Sequence, residues 1–222
     1  DRVSAMRSFA ARGFDLVIAV GYMFSRDVDA VARERPSTYF ACVDYARDEG
    51  HASVPANVSG LTFREWEGAF LVGAAAALTS RSGRVGFVGG MDIPLIRRFE
   101  TGYRAGVSSV CPTCSVLAAY AGTSPGAFRD PARGDELATS QFAAGAEVIF
   151  HASGTTGHGV FVAAQRLRRY AIGVDSDQYD EMPEAVLTSM RKRVDVAVFD
   201  AIDAVARGRF AHGYAGTTRS FG

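Results

Sequence analysis

A surplus of charge is missing from this sequence. Its 24 Lys and Arg balance 24 Asp and Glu, for a formal net charge of zero. No long basic run stands in for the surplus, so the electrostatic footprint of a nucleic-acid binder is absent. Long apolar runs are missing too. A membrane helix needs roughly 20 predominantly apolar residues; the longest candidate, Ala69 to Leu78, is too short and reads as a buried helix. The opening Asp1-Arg2-Val3-Ser4 has neither the apolar stretch nor the initiator Met of a signal peptide. The expectation is a chain that starts inside a longer protein, with its location not readable from a targeting segment. Cysteine is scarce, with three residues. Cys42 lies in an apolar run and is expected to be a small core residue. Cys111 and Cys114 form Cys-Pro-Thr-Cys between a helix and a strand, not at the helix N-terminus where a dipole lowers a thiol pKa. A local disulfide or two inert thiols are expected, and one CxxC without a second pair does not make a zinc site. Neither a Walker A lysine nor a G-x-S-x-G nucleophile elbow occurs. Internal repeats, linkers and low-complexity segments are also lacking.

Apolar residues make up 48% of the chain, which supports a packed core and excludes global disorder. Short apolar runs predict strands at Leu16–Val20, Tyr39–Val43, Val85–Val88, Ser115–Tyr120, Glu147–Phe150 and Ala171–Val174. Most are rich in Val, Ile and Phe and apolar on consecutive positions, the mark of strands buried on both faces in a parallel sheet. Helices are predicted between them near Val3–Ala11, Asp27–Glu34, Phe63–Thr79, Pro94–Val107, Asp135–Ala144 and Gly157–Leu167. This alternation predicts a doubly wound α/β architecture. The polar segment Ser80-Arg81-Ser82-Gly83 follows a long helix. After Asp177 a strand-like run at Ala185–Met190 and a helix at Asp195–Ala206 change the grammar. The division this suggests is one lobe of 1–82 with 187–222 and a second of 83–186, with hinges near Ser80–Gly83 and Asp177–Ala185. Periodicity alone is equally compatible with one lobe.

In parallel sheets ligands bind beyond the carboxyl ends of the strands, so the loops there are the candidates. Val85-Gly86-Phe87-Val88-Gly89-Gly90-Met91 has a strand, a glycine pair and a helix but not the G-x-G-x-x-G spacing of a dinucleotide site; a tight turn that packs the helix closely is the simpler reading. Ser153-Gly154-Thr155-Thr156-Gly157 joins a strand to a helix, either as a backbone cradle for a polar ligand or as a helix capped by a Thr. His151 and His158 flank that loop without a Glu or Cys to complete a metal set, so hydrogen-bonding or exposed histidines are expected. Asp44 and Asp175 each follow an apolar strand directly, where carboxylates can accept hydrogen bonds from a diol or serve as acid and base, although no nucleophile or metal accompanies them. Phe128 lies in the polar loop Gly126-Ala127-Phe128-Arg129-Asp130, either as a lid on the core or as a platform for a flat ring.

Several strings resemble a known family. Gly86-Phe87-Val88-Gly89-Gly90-Met91 followed by Pro94, Ile96 and Phe99 is similar to its GFVGGM-x-x-P-x-I-x-x-F signature. Glu67-Gly68-Ala69-Phe70-Leu71-Val72-Gly73 resembles its EGAFLAG helix. Ile172-Gly173-Val174-Asp175-Ser176-Asp177-Gln178 and Val186-Leu187-Thr188-Ser189-Met190 with Lys192 resemble its GVDSDQ and VLTSM-x-K blocks. The family is the basic membrane protein family of substrate-binding lipoproteins of ABC importers. The resemblance implies a type I periplasmic-binding-protein fold, two Rossmann-like lobes joined by three crossovers. It also implies a purine nucleoside (adenosine, guanosine or inosine) held in the interlobe cleft without chemistry. The implied contacts are Asp44, Phe128 stacking on the base, Gly154 through its backbone, Asp175 and Lys192. Ala127-Phe128-Arg129-Asp130 stands where the family has S-F-x-D. The implied partner is a transporter permease, and the implied location is the cell surface or periplasm, through a lipid anchor outside this sequence. No cofactor, metal or enzymatic activity is implied. The resemblance also implies a further strand and an Asp/Asn/Phe-containing loop ahead of the position of Asp1, which supply the other ring and polar contacts, and more of the first lobe past the position of Gly222. Two other classes fit less well. A nucleoside-sensing regulator could use the same fold, and the lack of a lipobox cysteine would mark it. A nucleoside hydrolase or NAD-dependent enzyme would need a catalytic cluster that the sequence does not show.

Overall fold

The structure, a computed structural model, describes residues 1–46 and 53–210. In chain order its elements are α1 (Arg2–Ala11), β1 (Leu16–Val20), α2 (Ser25–Glu34), β2 (Tyr39–Val43), β3 (Val58–Leu61), α3 (Glu65–Thr79), β4 (Arg84–Met91), α4 (Pro94–Val110), β5 (Ser115–Gly122), α5 (Pro131–Ala143), β6 (Val148–Ala152), α6 (Gly157–Arg166), β7 (Tyr170–Asp175), β8 (Val186–Arg191) and α7 (Val194–Ala206). Short 3-10 turns follow β1, β5, β6 and β7. The chain forms two compact units: Asp1–Arg64 with the segment from Arg193 onward, and Glu65–Lys192.

The first unit holds the parallel sheet β1-β2-β3. Successive side chains of a strand point to opposite faces, and β2 shows why its run is apolar throughout. Phe40 and Cys42 pack with Met6, Val28, Val31 and Val58, against α1 and α2. Ala41 and Val43 pack with Leu61, Ala197 and Ala201, against α7. Cys42 is fully buried, and burial pushes its thiol up to about 12, as fits a core residue. Asn57 fastens the start of β3 to the end of α2: its amide donates to the carbonyls of Ala32 (3.0 Å), Arg35 (3.0 Å) and Thr38 (2.9 Å). Those carbonyls lie around the helix end, where intrahelical partners run out.

The second unit is a five-stranded parallel sheet in the order β5-β4-β6-β7-β8, with α3 and α4 on one face and α5 and α6 on the other. From β4 the chain leaves toward α4; from the neighbouring β6 it leaves toward α6, on the opposite face. That makes the carboxyl ends of β4 and β6 the topological switch point, where parallel sheets open a crevice.

Three findings differ from the sequence reading. Helix α3, placed above in the lobe 1–82, packs on α4 in the second unit. A Cβ on Gly102 or Gly106 of α4 would strike the α3 backbone at Trp66 and Phe70, so the two helices are in backbone contact. Strand β8 pairs with β7 and also belongs there, so a cut at 186/187 falls inside the second sheet; the end of the range 187–222 lies outside the described residues. Finally, Gly89-Gly90 is not a turn: β4 stays extended through Met91. Cys111 and Cys114 are joined as a local disulfide, Cα–Cα 5.3 Å.

Candidate functional site

The switch point is built around Phe128. After β5, the 3-10 turn Pro125–Phe128 folds across the carboxyl end of β4 and sets the ring on Gly90. A Cβ at Gly90 would overlap ring atoms Cε1 and Cδ1 and lie 2.8 Å from Cζ, so the ring lies flush on bare backbone. The loop after β6 clamps the other side. Thr155 Oγ1 donates to the Phe128 carbonyl (3.0 Å) and Thr156 Oγ1 to that of Ala127 (2.8 Å), while Thr156 Oγ1 accepts from the Asp130 amide (2.8 Å). The sequence reading offered these threonines as helix caps. Thr156 does precede α6, but neither hydroxyl caps it; they are spent on holding the Phe128 loop. Gly154, with φ of 58°, lies beside that loop, 2.9 Å from a would-be Cβ to the Phe128 carbonyl oxygen. The Phe128 ring is half-buried and Gly154 is exposed, leaving both open to a ligand.

Farther along the edge, Asp175 ends β7 in the left-handed region, φ 67°. Such a backbone is uncommon outside glycine, although Asp tolerates it better than most residues, and it collects at functional sites. The side chain of Asp175 is 51% exposed, whereas that of Lys192 beside it is 7% exposed, with Nζ 3.2 Å from Asp175 Oδ1. The Lys192 amide also donates to the Asp175 carbonyl (2.8 Å). The pair therefore presents an anchored carboxylate to solvent over a sheltered cation.

Behind this edge lies a polar network of which the sequence reading singled out His151, as a hydrogen-bonding or exposed histidine, but not its partners. His151 on β6 is fully buried, edge-on to Phe161 at 5.0 Å. Its Nε2 is 3.2 Å from Gln178 Oε1 and its Nδ1 is 3.3 Å from Ser153 Oγ. Burial is the largest cause that pushes the imidazole down to about 4, so it is neutral near pH 7; Gln178, Asp175 and Glu181 pull the other way. His158 is exposed, 3.6 Å from Glu181. Among the described residues no His, Cys, Asp and Glu cluster has the makings of a metal site. The legible signal for the network was the single histidine inside an apolar strand; nothing marked Gln178 beyond its place in a motif.

The structure thus brings Phe128 and Gly154 together, and Asp175 and Lys192 together, on one sheet edge of the second unit. Asp44 belongs to the first unit. It follows β2 at the carboxyl edge of that sheet, half-buried, with φ of 58° and its amide donating to the Leu61 carbonyl (2.9 Å). It shares its backbone conformation with Asp175, which the sequence could not show. An apolar groove of about 550 Å³ in the same unit, lined by Phe14, Leu16, Ile18, Ile202 and Val205 among others, sits at the amino end of β1. It lies at the wrong end of the sheet to include Asp44.

Residues 1–218 match the family described as ABC transporter substrate-binding protein, PnrA-like. The chain is 36% identical over 216 residues to a CD4+ T-cell-stimulating antigen of Listeria monocytogenes, covering 90% of this chain and 58% of that protein. It is 32% identical over 230 residues to the ABC transporter nucleoside-binding protein BmpA of Lactococcus lactis, covering 96% of this chain and 63% of that protein. A solute-binding protein of an ABC transporter system from Aeropyrum pernix superposes with a TM-score of 0.84 at 31% identity, over 97% of this chain and 61% of the other. The chain spans less than two thirds of the length of each of these proteins.

Proposed function

This chain belongs to the family of PnrA-like ABC transporter substrate-binding proteins, and on that premise we propose that it binds a purine nucleoside for import and releases it unchanged. The observation that carries the reading is the Phe128 ring, laid on Gly90 at the switch point and clamped from the Gly154 loop. A ring held flat and half-exposed is a platform for a planar base, and stacking of that kind is worth about 1–3 kcal/mol. Asp175 accepts hydrogen bonds from ribose hydroxyls, with Lys192 beside it as a donor. Gly154 offers backbone groups. The nucleoside-binding name of the Lactococcus relative supports this ligand class. A permease of an ABC importer is the proposed partner, and a lipid-anchored position on the outer side of the cell membrane is the proposed location.

Calorimetry of the full-length protein with adenosine, guanosine and inosine tests the reading. Saturable binding of at least one, with the nucleoside recovered intact, is expected. The absence of both heat and thermal shift for all three would overturn it.

A further inference from the structure

Gln178 lies outside every contact proposed above, yet its hydrogen bonds reach the strand ends that carry them. Its side-chain oxygen accepts from the Val174 amide (2.7 Å) and meets His151 Nε2 at 3.2 Å. Its backbone amide donates to Ser189 Oγ (3.0 Å), and its side-chain nitrogen donates to Glu181 (2.9 Å). An amide oxygen only accepts, so His151 must carry its proton on Nε2. Nδ1 is then bare and accepts from Ser153 Oγ–H. One glutamine thereby fixes a buried tautomer and, through it, the serine that follows β6.

The bonded residues stand next to the proposed ligand contacts. Ser153 precedes Gly154, Val174 precedes Asp175, and Ser189 lies on β8 shortly before Lys192. We infer that Gln178 is a positioning residue for nucleoside binding, setting the ends of β6, β7 and β8 in one arrangement through its bonds to His151, Val174 and Ser189. Asp175 sits in a left-handed conformation that surrounding structure must over-determine, and the Gln178–Val174 bond is adjacent to it. This inference rests on the function proposed above for where the contacts lie, but not for the network itself.

The test uses Gln178→Met, which keeps the length and removes the amide, and Gln178→Glu, which keeps an acceptor oxygen. Two readouts are taken on the full-length protein: affinity for the nucleoside that the wild type binds, and the nitrogen NMR spectrum of the His151 imidazole with the amide shifts of Gly154, Asp175 and Lys192. Gln178→Met leaves a buried Val174 amide without its acceptor, which converts to an affinity loss of about five- to 150-fold if it disorders the edge. Gln178→Met is expected to lose the pure Nε2–H tautomer and to shift all three amides, and Gln178→Glu to recover most of the affinity and the tautomer. A residue that merely supports the fold would lower the urea midpoint and leave affinity and the Gly154 and Lys192 amides unchanged; that result overturns the inference. If the wild type binds none of the nucleosides, the proposed function falls and with it the ligand named in the inference; the coupling of the three strand ends by Gln178 is then decided by whether the three amides move together in Gln178→Met, and unmoved amides overturn it.

Discussion

Replacing Gly90 by Ala should damage the site by a single methyl. Gly90 is in extended β4 and its φ is not in the left-handed region, so the backbone accepts alanine; the obstacle is the Phe128 ring. The new carbon would lie 2.8 Å from ring atom Cζ and nearer to two others, where ordinary contact begins at 3.4 Å. The ring must then move by roughly 1 Å, and overpacking of this kind costs about 1–3 kcal/mol of stability. Displacing the platform also forfeits up to about 1–3 kcal/mol of base stacking, which is about five- to 150-fold in affinity. Calorimetry and urea unfolding measure the two losses separately. Gly126→Ala is the control, because its methyl would meet nothing nearer than Ser124 Oγ at 3.6 Å; both quantities should stay at wild-type values. In Gly90→Ala combined with Phe128→Ala the overlap is gone. Stability should then match Phe128→Ala alone, a non-additivity expected of residues in contact, while affinity stays low. Wild-type affinity in a destabilised Gly90→Ala protein would refute the assignment of Phe128 as the platform.

Other outcomes follow from the same geometry. Phe128→Ala should weaken nucleoside binding by about 1–3 kcal/mol, read by calorimetry. Asp175→Ala removes the carboxylate from beside a Lys192 side chain that is 7% exposed, so it should lower both affinity and the thermal midpoint, whereas Asp175→Asn should spare more of the stability. His151 contributes a pH dependence. Its folded value of about 4 lies below the ordinary 6.5, so the unfolded chain takes up the proton first. Stability is intact above pH 6.5 and declines as pH falls toward 4, by about 3 kcal/mol in all; urea midpoints at pH 7.5, 5.5 and 4.5 should show a shallower fall in a His151→Asn variant. Reduction of the Cys111–Cys114 disulfide, which closes a loop of sequence separation 3, should cost no more than about 2 kcal/mol and leave binding unchanged.

Much of the fold was legible because burial on both faces writes itself as unbroken apolar runs, as in β2, β4, β6 and β7. Strands β1 and β5 carry similar runs, but β1 is only partly buried and the edge strand β5 has no fully buried position, against the expectation of burial on both faces. Strand β3 was not legible, because Val58-Ser59-Gly60-Leu61 mixes polar and small residues. Gly60 is there for a tertiary reason, since a Cβ would press on the Tyr45 ring. The Gly89-Gly90 pair looked like a turn for a similar reason: the missing side chains make room for Tyr120 and Ile96 at Gly89 and for Phe128 at Gly90, contacts that the sequence does not display. The unit boundary was misplaced because the backbone contact of α3 with α4 depends on glycines whose roles appear once the helices are paired. At the strand ends, the carboxylates Asp44 and Asp175, each at the carboxyl edge of its own sheet, were legible from position alone. The threonine clamp and Gln178 were not, because polar residues in a loop look solvated until their partners on other strands are known.

The most direct test of the account is a crystal structure of the full-length protein with guanosine or inosine. The account predicts the purine stacked about 3.5–4.0 Å from the Phe128 ring and a ribose hydroxyl within about 2.5–3.0 Å of an Asp175 carboxylate oxygen. A nucleoside bound away from Phe128 and Asp175 would contradict it.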